Sequence, residues 1–117
     1  CREISLGDTI GVATPADITA LLDIILAEIP AAKIAGHFHD TSGRALDCIA
    51  AALERGVRTF DSSVGGAGGC PFAPGAKGNV ATDRVVSLLE AEGFTTGIDK
   101  VALKDATNFM MQILGRA

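Results

Sequence analysis

No basic cluster interrupts this sequence. Ten Lys and Arg stand against 14 Asp and Glu, a net charge of -4, so the electrostatic footprint of a nucleic-acid binder is missing and no nucleic-acid partner is expected. No long apolar run is present either. The longest apolar region, residues 18–34, is broken by Asp23, Glu28, Pro30 and Lys33, which excludes a convincing membrane span. No signal-peptide pattern opens the chain. Cysteine is sparse and odd in number, three residues with no CxxC pair. A disulfide framework is therefore not expected, and a reducing compartment, cytosolic or matrix-like, fits better. There is no initiating Met: the chain starts Cys1-Arg2-Glu3 and runs straight into a predicted strand, so it reads as a piece of a longer protein.

What is present is apolar enough, at 48% hydrophobic residues, to bury a core. Ile4-Ser5-Leu6 begins a short strand ending at Gly7-Asp8-Thr9. Thr14-Pro15-Ala16-Asp17 reads as a helix start, with Thr14 as N-cap, Pro15 at the first helical position and Asp17 completing a capping box. Ile18, Leu21, Leu22, Ile25 and Ile29 follow at helical spacing, and Pro30 closes the helix. A second strand is expected over 33–39 and a helix over 44–55, burying Leu46, Ile49 and Leu53 and ending at Gly56. Cys48, inside that helix, reads as a small core residue. A third strand over 57–62 leads to a glycine-rich loop. A third helix is expected over 80–92, with Val85, Leu88 and Leu89 inward, and Asp99 caps a last helix through Leu114.

This βαβαβα order has connections too long for hairpins, so the strands are expected to be parallel with right-handed crossovers. Each strand ends in the same kind of polar pair: Asp8-Thr9, Asp40-Thr41 and Asp61-Ser62. Polar groups gathered at the carboxyl ends of parallel strands are where α/β proteins place their sites. Repeats of this length suit part of a (β/α)₈ TIM barrel: three parallel βα units and a terminal helix, with 1–117 as one partial barrel domain. A complete barrel needs about 250 residues, and a doubly wound sheet stays open as the alternative. Strands without their barrel neighbours would leave an edge that invites association between copies.

Residues 61–79 organise the chain. Gly65, Gly66, Gly68 and Gly69 permit positive φ and close backbone approach to a ligand, while Pro71 and Pro74 stiffen the middle. A loop this long in a compact domain points to function. It is not a standard phosphate motif: Pro71 takes the place of the last glycine of GxGxxG, and Lys77 does not complete a Walker motif.

Five positions carry the candidate chemistry. His37 and His39 flank Phe38, so alternation turns both imidazoles to one side at a strand's carboxyl end, near enough to share an ion. Two imidazoles suit zinc or iron, while added oxygen ligands suit Mn or Mg; the plain alternative is a hydrogen-bonded histidine pair in a polar patch. Asn79 offers an oxygen ligand, or simply an N-cap for the third helix. Cys70, between Gly-Gly and Pro, is placed for proton transfer or nucleophilic attack if a nearby cation favours its thiolate, and is otherwise inert. Asp8 either closes its own turn or faces the site as a carboxylate. Asp40 alternates off the histidine face and is given a structural role where the second helix begins.

The run Ser63-Val64-Gly65-Gly66-Ala67-Gly68-Gly69-Cys70-Pro71-Phe72, with Gly78-Asn79 and Ala81-Thr82 after it, resembles the signature of the 3-hydroxy-3-methylglutaryl-CoA lyase family. Ile4-Ser5-Leu6-Gly7-Asp8-Thr9-Ile10-Gly11 and His37-Phe38-His39-Asp40-Thr41 match that family too. The resemblance covers essentially the whole chain and corresponds to the carboxy-terminal portion of the family's barrel, its last three βα units plus a helix.

The resemblance implies metal-dependent retro-Claisen cleavage of hydroxymethylglutaryl-CoA to acetyl-CoA and acetoacetate, a step of leucine degradation and ketone-body formation. It implies His37, His39 and Asn79 as ligands of Mg²⁺ or Mn²⁺, Cys70 as general acid, and Asp8 with His37 assisting proton movement. It further implies a small acyl-CoA partner, a homo-oligomeric parent (a dimer), and a cytoplasmic bacterial location, or the mitochondrial matrix in a eukaryote. Two departures stand out. Asp83 occupies a position where the family more often has Glu. The family's first barrel strand, with an Arg-Asp pair that polarises substrate and ligates metal, has no counterpart here, so weak metal binding and no useful turnover are expected of the chain alone. Related metal-dependent acyl-CoA synthases or carboxyltransferases on the same barrel are the rival reading, separated by Cys70. A non-catalytic CoA-binding scaffold is the other.

Overall fold

A computed structural model describes residues 1–69 and 78–115. Three parallel strands, β1 (Ile4–Asp8), β2 (Ile34–Phe38) and β3 (Thr59–Phe60), lie side by side in chain order. Helix α1 (Pro15–Ile25) joins the first two and α2 (Ala45–Glu54) the second and third, while α3 (Thr82–Ala91) and α4 (Lys100–Ile113) follow. This is the parallel βα architecture that the spacing of the sequence predicts. Among the described residues no helix is long and apolar enough to cross a membrane.

The helix ends follow local chemistry. The Asp17 amide donates to Thr14 Oγ1 at 3.2 Å, and the Thr14 amide donates back to the Asp17 carboxylate at 2.8 Å, the reciprocal pairing of a capping box. These bonds from Thr14 hold the Asp17 carboxyl below its ordinary pKa. Asp99 Oδ1 accepts from the amides of Val101 and Ala102 to start α4. Gly56, with φ +91°, turns the chain after α2.

Parallel register pairs Leu6 with Gly36, Asp8 with Phe38, Ala35 with Thr59 and Gly36 with Phe60. Since paired residues share a face, Leu6, Ile34, Phe38 and Phe60 line the helix side of the sheet. There they meet Ile18 and Leu22 of α1 and Cys48, Ile49, Ala52 and Leu53 of α2 in the core. Gly36 suits this packing, because a Cβ there would stand 3.0 Å from the rings of Phe38 and Phe60, close enough that the rings would have to give way slightly. The opposite face carries Ser5, Gly7, Ala35, Thr59, His37 and Asp61. One face is thus apolar, the other small and polar.

Three expectations are corrected. β3 pairs over two residues rather than across 57–62. Val57 is still bound into the end of α2, its amide donating to Ala52 O at 3.1 Å, and β3 has only β2 as a partner strand among the described residues. Helix α1 stops at Ile25, so Ile29 reaches the core from the turn beyond it, and Leu21 is exposed. Asn79 is not an N-cap: α3 starts at Thr82 with Ala81 at the cap position.

Asp40 ties the sheet to two helices. It is 5% exposed; Oδ1 accepts from the Ala45 amide at the start of α2, and Oδ2 pairs with Arg84 of α3 at 2.8 Å. Its own amide donates to Gly78 O at 2.7 Å. A buried carboxylate that lost this guanidinium would keep a desolvated, uncompensated charge. Arg84 is itself half exposed, so water offsets part of that loss. Arg84→Met is expected to cost about 2 kcal/mol in chemical denaturation, and adding Asp40→Asn should recover part of it. A cost within experimental error would show that the ion pair contributes nothing.

Cys48 is 1% exposed and its thiol lies 3.5 Å from Ala13 O. Burial, and after it the carboxylates of Asp8, Asp47 and Asp17, push its pKa from 9.0 up to about 11. The folded state therefore favours the neutral thiol. The associated stability is complete below about pH 9, falls as pH rises, and is gone above about pH 11, a loss of up to ~3 kcal/mol. Two readouts are expected. Iodoacetamide at neutral pH should spare Cys48 until the chain is unfolded, and Cys48→Ala should flatten the decline in stability between pH 9 and 11. Alkylation of Cys48 in the native chain would contradict the burial.

Candidate metal and acyl-group site

His37 ends the polar face of β2, and His39 lies two residues on, where it forms an isolated antiparallel bridge with Asn79. Their Nε2 atoms face each other at 3.2 Å, with ring centroids 5.1 Å apart. Two nitrogens at that separation match neighbouring corners of a coordination shell whose bonds are about 2.1 Å, which places such corners about 3 Å apart. At that distance one Nε2 can donate a hydrogen bond to the other. His39 Nδ1 is buried with no hydrogen-bond partner among the described residues, whereas His37 Nδ1 lies 3.2 Å from Asp61 Oδ2.

Asn79 is held by its surroundings. Its Nδ2 donates to Ala67 O at 3.0 Å, which turns the amide oxygen away from that carbonyl. Gly68, with φ +100°, makes room, since a Cβ there would come within 2.7 Å of Asn79 Nδ2. Gly78, with φ +69°, would place a Cβ 2.9 Å from Gly68 O. Residues 68–69 and 78–79 therefore lie against each other, so both ends of the glycine-rich loop stand beside the histidines. Cys70, the remaining candidate of this loop, lies outside the described residues, as do Pro71, Pro74 and Lys77.

Asp8 ends β1 and spends its carboxylate on its own loop. Oδ1 accepts from the amides of Gly11 and Val12 at 3.0 and 3.3 Å, and Oδ2 from Ala13 at 2.9 Å. A carboxylate offers about four acceptor positions, so most of its capacity is used in shaping the rim. That rim is locked to the histidine segment: Ser42 Oγ donates to Gly11 O, and a Cβ on Gly11 would sit 2.7 Å from the Thr41 side chain.

The structure thus brings His37, His39 and Asn79 together, with Asp8 on the adjoining strand end. Asp61 is the residue that sequence reasoning passed over. Its signal was present: it ends the strand beside β2, on the histidine face. Two imidazoles and an amide oxygen fit a hard divalent cation that keeps further oxygen ligands. Among the described residues no cluster of three His, Cys, Asp or Glu could hold an ion by itself.

A family model described as HMGL-like matches residues 1–110. Hydroxymethylglutaryl-CoA lyase of Pseudomonas mevalonii is 53% identical over 103 residues, covering 88% of this chain and 34% of the relative. The crystal structure of the HMG-CoA lyase from Brucella melitensis is 57% identical with a TM-score of 0.93, covering 97% of this chain and 40% of that one. An HMG-CoA lyase from Acinetobacter baumannii, solved in complex with coenzyme A and 3-methylmalate, is 40% identical with a TM-score of 0.89, over 98% of this chain and 38% of its own. The chain spans between a third and two fifths of the length of these relatives. Its three parallel βα units are part of a TIM barrel of this kind, and the chain belongs to the HMGL-like family.

Proposed function

We propose that this chain forms part of a divalent-metal-dependent carbon–carbon lyase that cleaves 3-hydroxy-3-methylglutaryl-CoA to acetyl-CoA and acetoacetate. The observation that carries the reading is the pair of Nε2 atoms 3.2 Å apart on the polar face of β2, in a chain more than half identical to lyases of this name. The residues fit the cation: His37 and His39 through Nε2 and Asn79 through its amide oxygen would hold Mg²⁺ or Mn²⁺. When bound, the ion supplies Lewis-acid stabilisation of negative charge and a template for oxygen-rich groups of the substrate.

The chain's own groups move protons. Asp8, at the rim, accepts the proton of the tertiary hydroxyl, and His37, whose Nε2 would hold the ion, assists by orienting that hydroxyl. As that O–H electron pair becomes the new carbonyl, the adjacent carbon–carbon bond breaks, and its electrons pass to the thioester enolate of acetyl-CoA. The Cys70 thiol then protonates the enolate carbon, and the glycine-rich loop excludes water from it. Asp8 also keeps the rim in shape through its three amide contacts.

The remaining ligand and the polarising Arg are assigned to the part of the relatives beyond the matched region, so 1–117 acts as one partial barrel domain and does not turn over alone. The rival acyl-CoA synthase or carboxyltransferase reading has no use for a thiol at position 70. The test is Mg²⁺-dependent acetoacetate release from hydroxymethylglutaryl-CoA, by this chain alone and mixed with a separately made amino-terminal half of a relative. Activity is expected only in the mixture; release by the chain alone would overturn the division of the site. In the active mixture Cys70→Ser is expected to lower kcat about 10²-fold or more, and retained activity would remove the thiol from the mechanism.

A further inference from the structure

We infer that Asp61 is the positioning residue for His37, fixing its ring with the proton on Nδ1 and the free electron pair of Nε2 turned toward His39. For its purpose this rests on the metal-dependent reading proposed above; for its geometry it does not. Asp61 Oδ2 lies 3.2 Å from His37 Nδ1, and a carboxylate in that place can only accept, so the nitrogen that faces it must carry hydrogen. His37 Nε2 is then left without a proton, the form in which an imidazole binds a cation.

The placement of Asp61 follows from strand register. Ala35 pairs with Thr59 and Gly36 with Phe60, so the residue after Phe60 falls beside His37 on the same face. The Asp61 amide donates to Gly36 O at 2.9 Å, which holds the backbone while leaving the side chain to the ring. The next residue is anchored too, with the Ser62 and Thr82 hydroxyls 2.9 Å apart. Both partners are half exposed, His37 at 40% and Asp61 at 54%. An exposed pair contributes little to stability, so what the contact provides is orientation. His39 has no matching support: its Nδ1 finds no partner among the described residues. The two histidines are thus unequal, and His37 is the one whose nitrogen is preset.

The test uses the 117-residue chain labelled with ¹⁵N, at about pH 8.5, well above the ordinary pKa of an imidazole. Ring nitrogens correlated to the carbon-bound ring protons show which nitrogen of His37 holds hydrogen, and Mn²⁺ alone is titrated while ring-proton broadening is followed. The wild-type chain is expected to carry the His37 proton on Nδ1. Asp61→Ala should weaken Mn²⁺ binding at the histidines about 10–100-fold, and Asp61→Asn, which keeps an acceptor oxygen, should restore part of it. A backbone amide spectrum like that of the wild type confirms that the variants fold. A His37 proton on Nε2 in the wild type would overturn the inference. So would Mn²⁺ binding unchanged by Asp61→Ala. If His37 holds its proton on Nδ1 but Mn²⁺ at millimolar concentration broadens neither ring, the hold of Asp61 on the ring stands and the metal-dependent reading falls.

Discussion

Everything at the candidate site depends on β2 being hydrogen-bonded along both edges. With β1 on one side and β3 on the other, its alternation cannot slip by a residue without turning Ile34 and Phe38 out of the core. Those two side chains are 1% and 5% exposed, so the hydrophobic term that fixes them also fixes His37 on the other face. The 3.2 Å between the imidazole nitrogens is thus set largely by apolar packing on the far side of the sheet. His39 lies just past the strand and is held by a different device, its bridge to Asn79, which brings the Asn79 amide with it.

The three strand-end aspartates look interchangeable in the sequence, since each is followed by Thr or Ser. They do three different things. Asp8 accepts from three amides of its own loop. Asp40 is buried and joins α2 to α3. Asp61 addresses a histidine 24 residues earlier in the chain. The face on which each falls separates Asp61 from Asp8 and Asp40, and face follows from pairing register rather than from composition. Asp40 could be excluded from the histidine face by counting along one strand. Asp61 required counting across two strands, with a register that only the folded sheet supplies.

The same division explains what was legible in the fold. Helix starts at Thr14-Pro15 and Asp99, and the turn at Gly56, were readable because their chemistry is completed within a few residues. Cys48 was readable as core because its neighbours on α2 repeat at helical spacing. The length of β3 was not, because a strand is defined by partners and only β2 pairs with it. Nor was the role of Asn79. Asn just before a helix satisfies every local rule for a cap, yet its amide is taken up by Ala67 O, contributed from the other end of the loop.

Glycine in that loop also changes its meaning. Four glycines in five residues read naturally as a surface for backbone approach to a ligand. At Gly68 and Gly78 the close approach is to the chain itself: a Cβ on the first would strike the Asn79 amide, and one on the second the backbone of Gly68 and Gly69. A Cβ on Gly65 would stand 3.4–3.5 Å from Met110 and Met111 of α4, so that helix leans on the same segment. The glycines therefore let residues 68–69 and 78–79 close on each other, while α4 packs on the turn at 64–66. Any side chain added at Gly68 would displace Asn79 before it met a substrate. In this loop, the space needed to seat one amide accounts for glycine at position 68, which a ligand alone was expected to explain.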